Sequence, residues 1–143
     1  MDTLVGTWSL VRWTSGAVEP FGPDPRGTLV YTAGGTMIAC FMRRERPPLG
    51  PAMDDYRGHR LGRSPDLPAP LDPNEIQRSF FESAMSFNAY AGRYFVEEDL
   101  VHHDVEIAML PDWIGTRLTR RFRIEGDQLT LSFGADALVW RRV

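Results

Sequence analysis

From Arg93 onward the chain is a series of short alternating runs separated by tight connections. The runs are Arg93 to Glu97, Leu100 to Leu110, Thr116 to Ile124, Gln128 to Phe133 and Ala137 to Val143. Three of the connections are hairpin turns: Glu97-Glu98-Asp99, Glu125-Gly126-Asp127 and Gly134-Ala135-Asp136. Period-two alternation of apolar side chains predicts half-buried strands, and turns this short join antiparallel neighbours. The N-terminal part repeats the pattern. Leu4 to Trp13, Gly27 to Thr32 and Thr36 to Met42 read as strands, the last two joined through Ala33-Gly34-Gly35. Three strands followed by five predict an all-β, eight-stranded up-and-down antiparallel barrel, a size that holds one small ligand.

The middle of the chain breaks the pattern. Residues 43–72 hold six prolines together with Arg43, Arg44, Arg46, Arg57, Arg60 and Arg63. They read as a long loop, either an anion-binding lid or a solvated surface connection. Asp72-Pro73-Asn74-Glu75 is a helix start: Asp72 caps, Pro73 suits the first position and Glu75 completes a capping box. Ile76, Phe80, Ala84 and Phe87 follow at helical spacing, so a helix over 73–91 is expected, closed by Gly92. One helix therefore sits between strands 3 and 4. With 143 residues and no repeat, the chain reads as a single domain, 1–143.

Composition mainly removes chemistry. All sixteen basic residues are Arg, and there is no Lys. Schiff-base chemistry on a lysine, a lysine-linked pyridoxal cofactor and a Walker-type phosphate loop are excluded. The one cysteine, Cys40, excludes an intrachain disulfide and a four-cysteine zinc site, and it has no basic partner to activate it. A net charge of −3 argues against nucleic acid as a partner. No long apolar run or basic-then-apolar leader is visible, so no membrane association is expected, and the location reads as cytoplasmic.

Strand alternation assigns the lining. In Val101 to Leu110 the inward set is His103, Val105, Ile107 and Met109, with His102, Asp104 and Glu106 on the solvated face. That outward face is why no metal site is expected there. Leu118, Phe122 and Ile124 share an inner face and carry Arg120 with them. Tyr94 and Val96 point inward on the strand after the helix. Arg12 shares parity with Trp8 and so lines the mouth, unless that end is solvated. Tyr31 and Cys40 fit either face.

The residues then resemble a known family. Gly6-Thr7-Trp8, the run from Phe21 to Gly27, Tyr31-Thr32 with Gly35 and Met37, and Ala89 through Tyr94 are the first part of the match. His103 through Glu106, Pro111 through Thr116, Arg120-Arg121-Phe122 and Val139 through Arg142 complete it. As an ordered set they are similar to the lipocalin-like domain family of small bacterial and fungal proteins. Where that pattern has a His-His pair before Val-Glu, this chain reads His103-Asp104. The resemblance implies an eight-stranded barrel with Trp8 at the closed end. It also implies an arginine after the last strand, Arg141 or Arg142, stacked on that tryptophan. Some such barrels act as cofactor-free cyclases or isomerases, and many have no assigned reaction.

His103 and Arg120 are the candidate catalytic pair. A histidine in an apolar cavity is a neutral general acid/base, or else a hydrogen-bonded core residue. An inward arginine needs either a ligand carboxylate, enolate or phenolate, or an internal Asp or Glu. Tyr31, Tyr90, Tyr94, Arg12, Phe122 and Met109 are the candidate ligand contacts. The expected partner is a small hydrophobic molecule, aromatic or polyketide-like, bound by a monomer or homodimer and isomerised, cyclised or dehydrated without a cofactor. A non-catalytic carrier or sensor, and a protein-interaction barrel with a filled interior, are the alternatives.

Overall fold

The computed structural model describes residues 3–62 and 72–143. Eight strands run in chain order: β1 (Gly6–Ser15), β2 (Arg26–Tyr31), β3 (Thr36–Met42), β4 (Phe87–Glu97), β5 (Leu100–Ala108), β6 (Arg117–Glu125), β7 (Gln128–Phe133) and β8 (Asp136–Arg142). Each pairs antiparallel with its chain neighbour, and β8 returns to β1 to close the barrel. Closure leaves no free edge among the described strands. The expected all-β up-and-down barrel is therefore present.

One end of the barrel is packed shut. Trp8 is fully buried there, and its indole N–H donates to Leu4 O at 2.9 Å. Arg142 lies over the Trp8 ring at 4.1 Å and donates to Val5 O and Thr3 O. Of the two arginines named from the resemblance, Arg142 is thus the stacked one. Gly6, at φ 141°, makes room, because a Cβ there would stand 2.7 Å from Arg142 Nη1.

Two bulges shift the parity that alternation predicts. On β1 the pairing with β8 slips between Leu10 and Arg12. Trp13 turns inward as a result, and Arg12 turns out to pair with Glu19 at 3.2 Å, so Arg12 does not line the mouth. Between β4 and β5, Gly92 pairs with Val105 but Ala91 pairs with Ile107. Glu106 is the extra residue. Beyond it Ala108 packs on the core, while Ile107 is 69% exposed. Gly92 permits the close crossing, since a Cβ there would meet Asp104 O at 1.9 Å. His102 also departs from its expected solvated setting. It is buried, stacked on Phe95 with ring centroids 4.6 Å apart, and bonded to Thr119 Oγ1 at 2.9 Å.

The chain divides into two compact units, Met1–Arg44 with Phe87–Val143, and Glu45–Ser86. Among its described residues the second unit holds two helices, α1 (Pro51–Leu61) and α2 (Pro73–Met85), where one is expected from the sequence. α1 lies inside the expected loop; Gly50 at φ 60° precedes it and Pro51 starts it. Arg63 and the rest of 63–71 lie outside the described residues. Asp72 caps α2 by accepting from Asn74 N at 2.7 Å. The helix ends at Met85, short of residue 91, because Phe87 to Ala91 pair with β3 instead. The Tyr56 and Phe80 rings, 5.8 Å apart, join the two helices. Among the described residues no helix is long and apolar enough to cross a membrane.

Candidate functional site

The barrel interior has two halves with different contents. At the closed end, Trp8, Tyr31, Met37, His103 and Leu129 are all below 2% exposed. Toward the other end lies a cavity of about 240 Å³. Trp13, Tyr90, Trp113, Phe133, Leu138 and Trp140 supply most of its apolar wall. Arg120, Asp136 and Asn88 are its polar members.

Strand alternation brings Arg120 inward as expected. Along β6, half-buried residues at 118, 120, 122 and 124 alternate with exposed ones. The Arg120 guanidinium lies 3.5 Å from the centre of the Phe133 ring and donates to Thr119 O. Among the described residues no carboxylate lies within ion-pair distance of it. Burial lowers the guanidinium pKa by working against its charge, and Tyr90, Tyr31 and Asp136 act in the other direction.

His103 joins two tyrosines. Its Nε2 is 2.7 Å from Tyr31 Oη, and its Nδ1 is 3.1 Å from Tyr90 Oη. Burial holds the imidazole pKa down at about 3, with the Arg120 and His102 charges acting the same way. The ring is neutral at physiological pH. Burial pushes Tyr90 up to about 12 against the pull of Arg120, and it raises Tyr31 well above the ordinary phenol range. Both hydroxyls stay protonated. Tyr94 edges onto the Tyr31 ring at 4.7 Å and donates to Thr32 O at 2.7 Å, which is a packing role.

The sequence-derived candidates therefore separate. Arg120 and Tyr90 line the cavity. His103 and Tyr31 stand behind Tyr90, linked to it by hydrogen bonds and outside the cavity wall. Phe122 packs against the core without lining the cavity. Met109, half-buried beyond the β5 bulge, and Arg12 also fall outside the wall. Asp136, Asn88 and Trp113 were missed. Asp136 reads as a turn residue, and Asn88 reads as helix because the period of Ile76 and Phe80 continues through Phe87. Trp113 sits in a short 3-10 turn, Pro111–Trp113, that strand periodicity does not mark.

Three buried polar atoms on the wall residues have no hydrogen-bond partner among the described residues. They are Trp13 Nε1, Trp140 Nε1 and Asn88 Oδ1. No group of three or more His, Cys, Asp or Glu side chains that could hold a metal occurs among the described residues.

A closed eight-stranded barrel with one packed end and one lined cavity defines a small calyx of the ligand-binding kind. The chain belongs to the lipocalin-like domain family, whose sequence profile matches residues 5–142. No curated protein matches it. Among solved structures, an uncharacterized protein from Bacteroides eggerthii is similar at 10% identity and a TM-score of 0.49. The alignment covers 99% of this chain and 100% of that one. A lipocalin-like protein from Bacteroides uniformis is similar at 11% identity and a TM-score of 0.48, covering 98% of each.

Proposed function

We propose that the barrel binds one small, largely apolar molecule whose carbonyl, phenolate or carboxylate oxygen meets Arg120. The observation that carries this reading is the Arg120 guanidinium in an aromatic cavity with no carboxylate in contact among the described residues. A half-buried cation with no carboxylate in direct contact is costly, and an anionic or strongly polar ligand oxygen offsets that cost. The size of the cavity narrows the ligand. A dry cavity of about 150 Å³ takes benzene, so about 240 Å³ suits one or two fused rings and not a long polyketide.

Native mass spectrometry tests this reading. The protein as purified, and then mixed with one- and two-ring acids, phenols and ketones, is expected to carry a single small adduct. No adduct in either state contradicts the reading.

A second reading, a cofactor-independent isomerase, cyclase or dehydratase, is favoured by one observation: Asp136 lines the same cavity as Arg120 and Tyr90. The Asp136 carboxylate takes a proton from the carbon beside a ketone. The electron pair moves to the oxygen, Arg120 stabilises the enolate, and the proton returns at the same or a conjugated carbon. Deuterium exchange at the α-carbons of bound 2-tetralone, followed by NMR, tests it. Acceleration by the wild type and loss in Asp136→Asn are expected; exchange at the solution rate by the wild type contradicts it.

A further inference from the structure

The two hydrogen bonds of His103 carry a direction. An O–H donor approaches its acceptor more closely than an N–H donor does. The Tyr31 contact is 2.7 Å and the Tyr90 contact is 3.1 Å. Those lengths fit Tyr31 O–H donating to Nε2 and Nδ1–H donating to the Tyr90 oxygen. Satisfaction of buried groups selects the same direction. Tyr31 is 1% exposed and does not line the cavity. Among the described residues His103 is the one hydrogen-bond partner of its hydroxyl. If the chain ran the other way, the Tyr31 proton would be buried without an acceptor, at the full cost of its desolvation. Tyr90 lies on the cavity wall, so its proton has somewhere to go.

We propose that His103 is held as the Nδ1–H tautomer and that this leaves the Tyr90 hydroxyl free to donate into the cavity, to the carbonyl or enolate oxygen of the bound molecule. This rests on the cavity-binding reading above and deepens it. Tyr90 and Arg120 form a paired donor site for one oxygen of the bound molecule. Tyr31 and His103 are positioning residues. Each bond in the chain polarises the next, so the Tyr90 O–H is a stronger donor than an isolated phenol. Because burial holds Tyr90 protonated, the donor persists at every physiological pH.

Two measurements test the proposal. Long-range 15N–1H correlation of the labelled protein reads each ring, with His59→Gln and His102→Gln used to assign the three histidines. His103 is expected to show a protonated Nδ1 and a bare Nε2, unchanged from pH 8 to pH 5. A protonated Nε2, or an imidazolium in that range, overturns the proposal. The second measurement compares 2-tetralone with tetralin, which lacks the oxygen. Tyr90→Phe is expected to weaken 2-tetralone about five- to tenfold and leave tetralin unchanged. Equal weakening of both probes overturns donation by Tyr90. If neither probe binds the wild type, the cavity-binding reading fails and the donation falls with it; the tautomer of His103 is still judged by the NMR result.

Discussion

The Arg142 guanidinium covers the ring of Trp8 at 4.1 Å and ties the N-terminal segment to the last strand. Its two N–H groups donate to Thr3 O and Val5 O, across 139 and 137 residues of chain. One side chain thereby closes the barrel base with a cation–π contact and two charge-assisted hydrogen bonds.

Arg142→Ala is expected to destabilise the protein by about 2 kcal/mol, since the contact and both bonds are lost together. Arg142→Lys recovers only part of this, because an ammonium lacks the planar fork that stacks and donates at once. Urea unfolding monitored by tryptophan fluorescence measures both. Equal stability of the wild type and Arg142→Ala would show that the base is held by the strands alone.

The bulge at Glu106 makes a prediction opposite to simple alternation. Ile107 is expected to tolerate glutamine within about 0.5 kcal/mol, as an exposed site does. Val105→Ala, two residues earlier, is expected to cost about 2 kcal/mol through the cavity it leaves. Thermal unfolding of the two variants separates the alternatives; a larger loss at Ile107 would mean that the strand keeps its alternation and has no bulge.

Those same residues show how far the sequence is legible. The barrel, its strand order, the inward His103 and Arg120 and the cap at Asp72 follow from alternation, turn chemistry and capping. Ile107, Met109 and Arg12 do not, because one inserted residue per strand reverses every later side chain. A signal for the second bulge was present in Gly92, since a glycine inside a strand marks close backbone approach. α1 was hidden by its own composition: Gly58, four charged side chains and a proline start give little helical periodicity. The start of β4 was hidden by overlap, because Phe87 continues the helical spacing of Phe80 and Ala84 while its backbone already pairs with Met42.

Neutral burial of His103 sets a pH dependence. In the folded protein its pKa lies near 3, below the ordinary value of 6.5. The unfolded chain therefore binds the extra proton first as the pH falls. The stabilising effect is complete above about pH 6.5 and is lost toward pH 3, at up to about 1.4 kcal/mol per pH unit. His103→Gln removes this component. Urea midpoints at pH 7, 6, 5 and 4 are expected to fall more steeply for the wild type than for the variant. Parallel curves would mean that His103 titrates alike in both states.

In the proposed binding mode, Arg120 holds a ligand oxygen inside an apolar cavity. Calorimetric titration of the wild type and Arg120→Met with 2-naphthoate and with naphthalene measures this contact. The wild type is expected to prefer the carboxylate. Arg120→Met is expected to lose at least about tenfold in naphthoate affinity and to hold naphthalene unchanged. Equal naphthoate binding by the two proteins would contradict this binding mode.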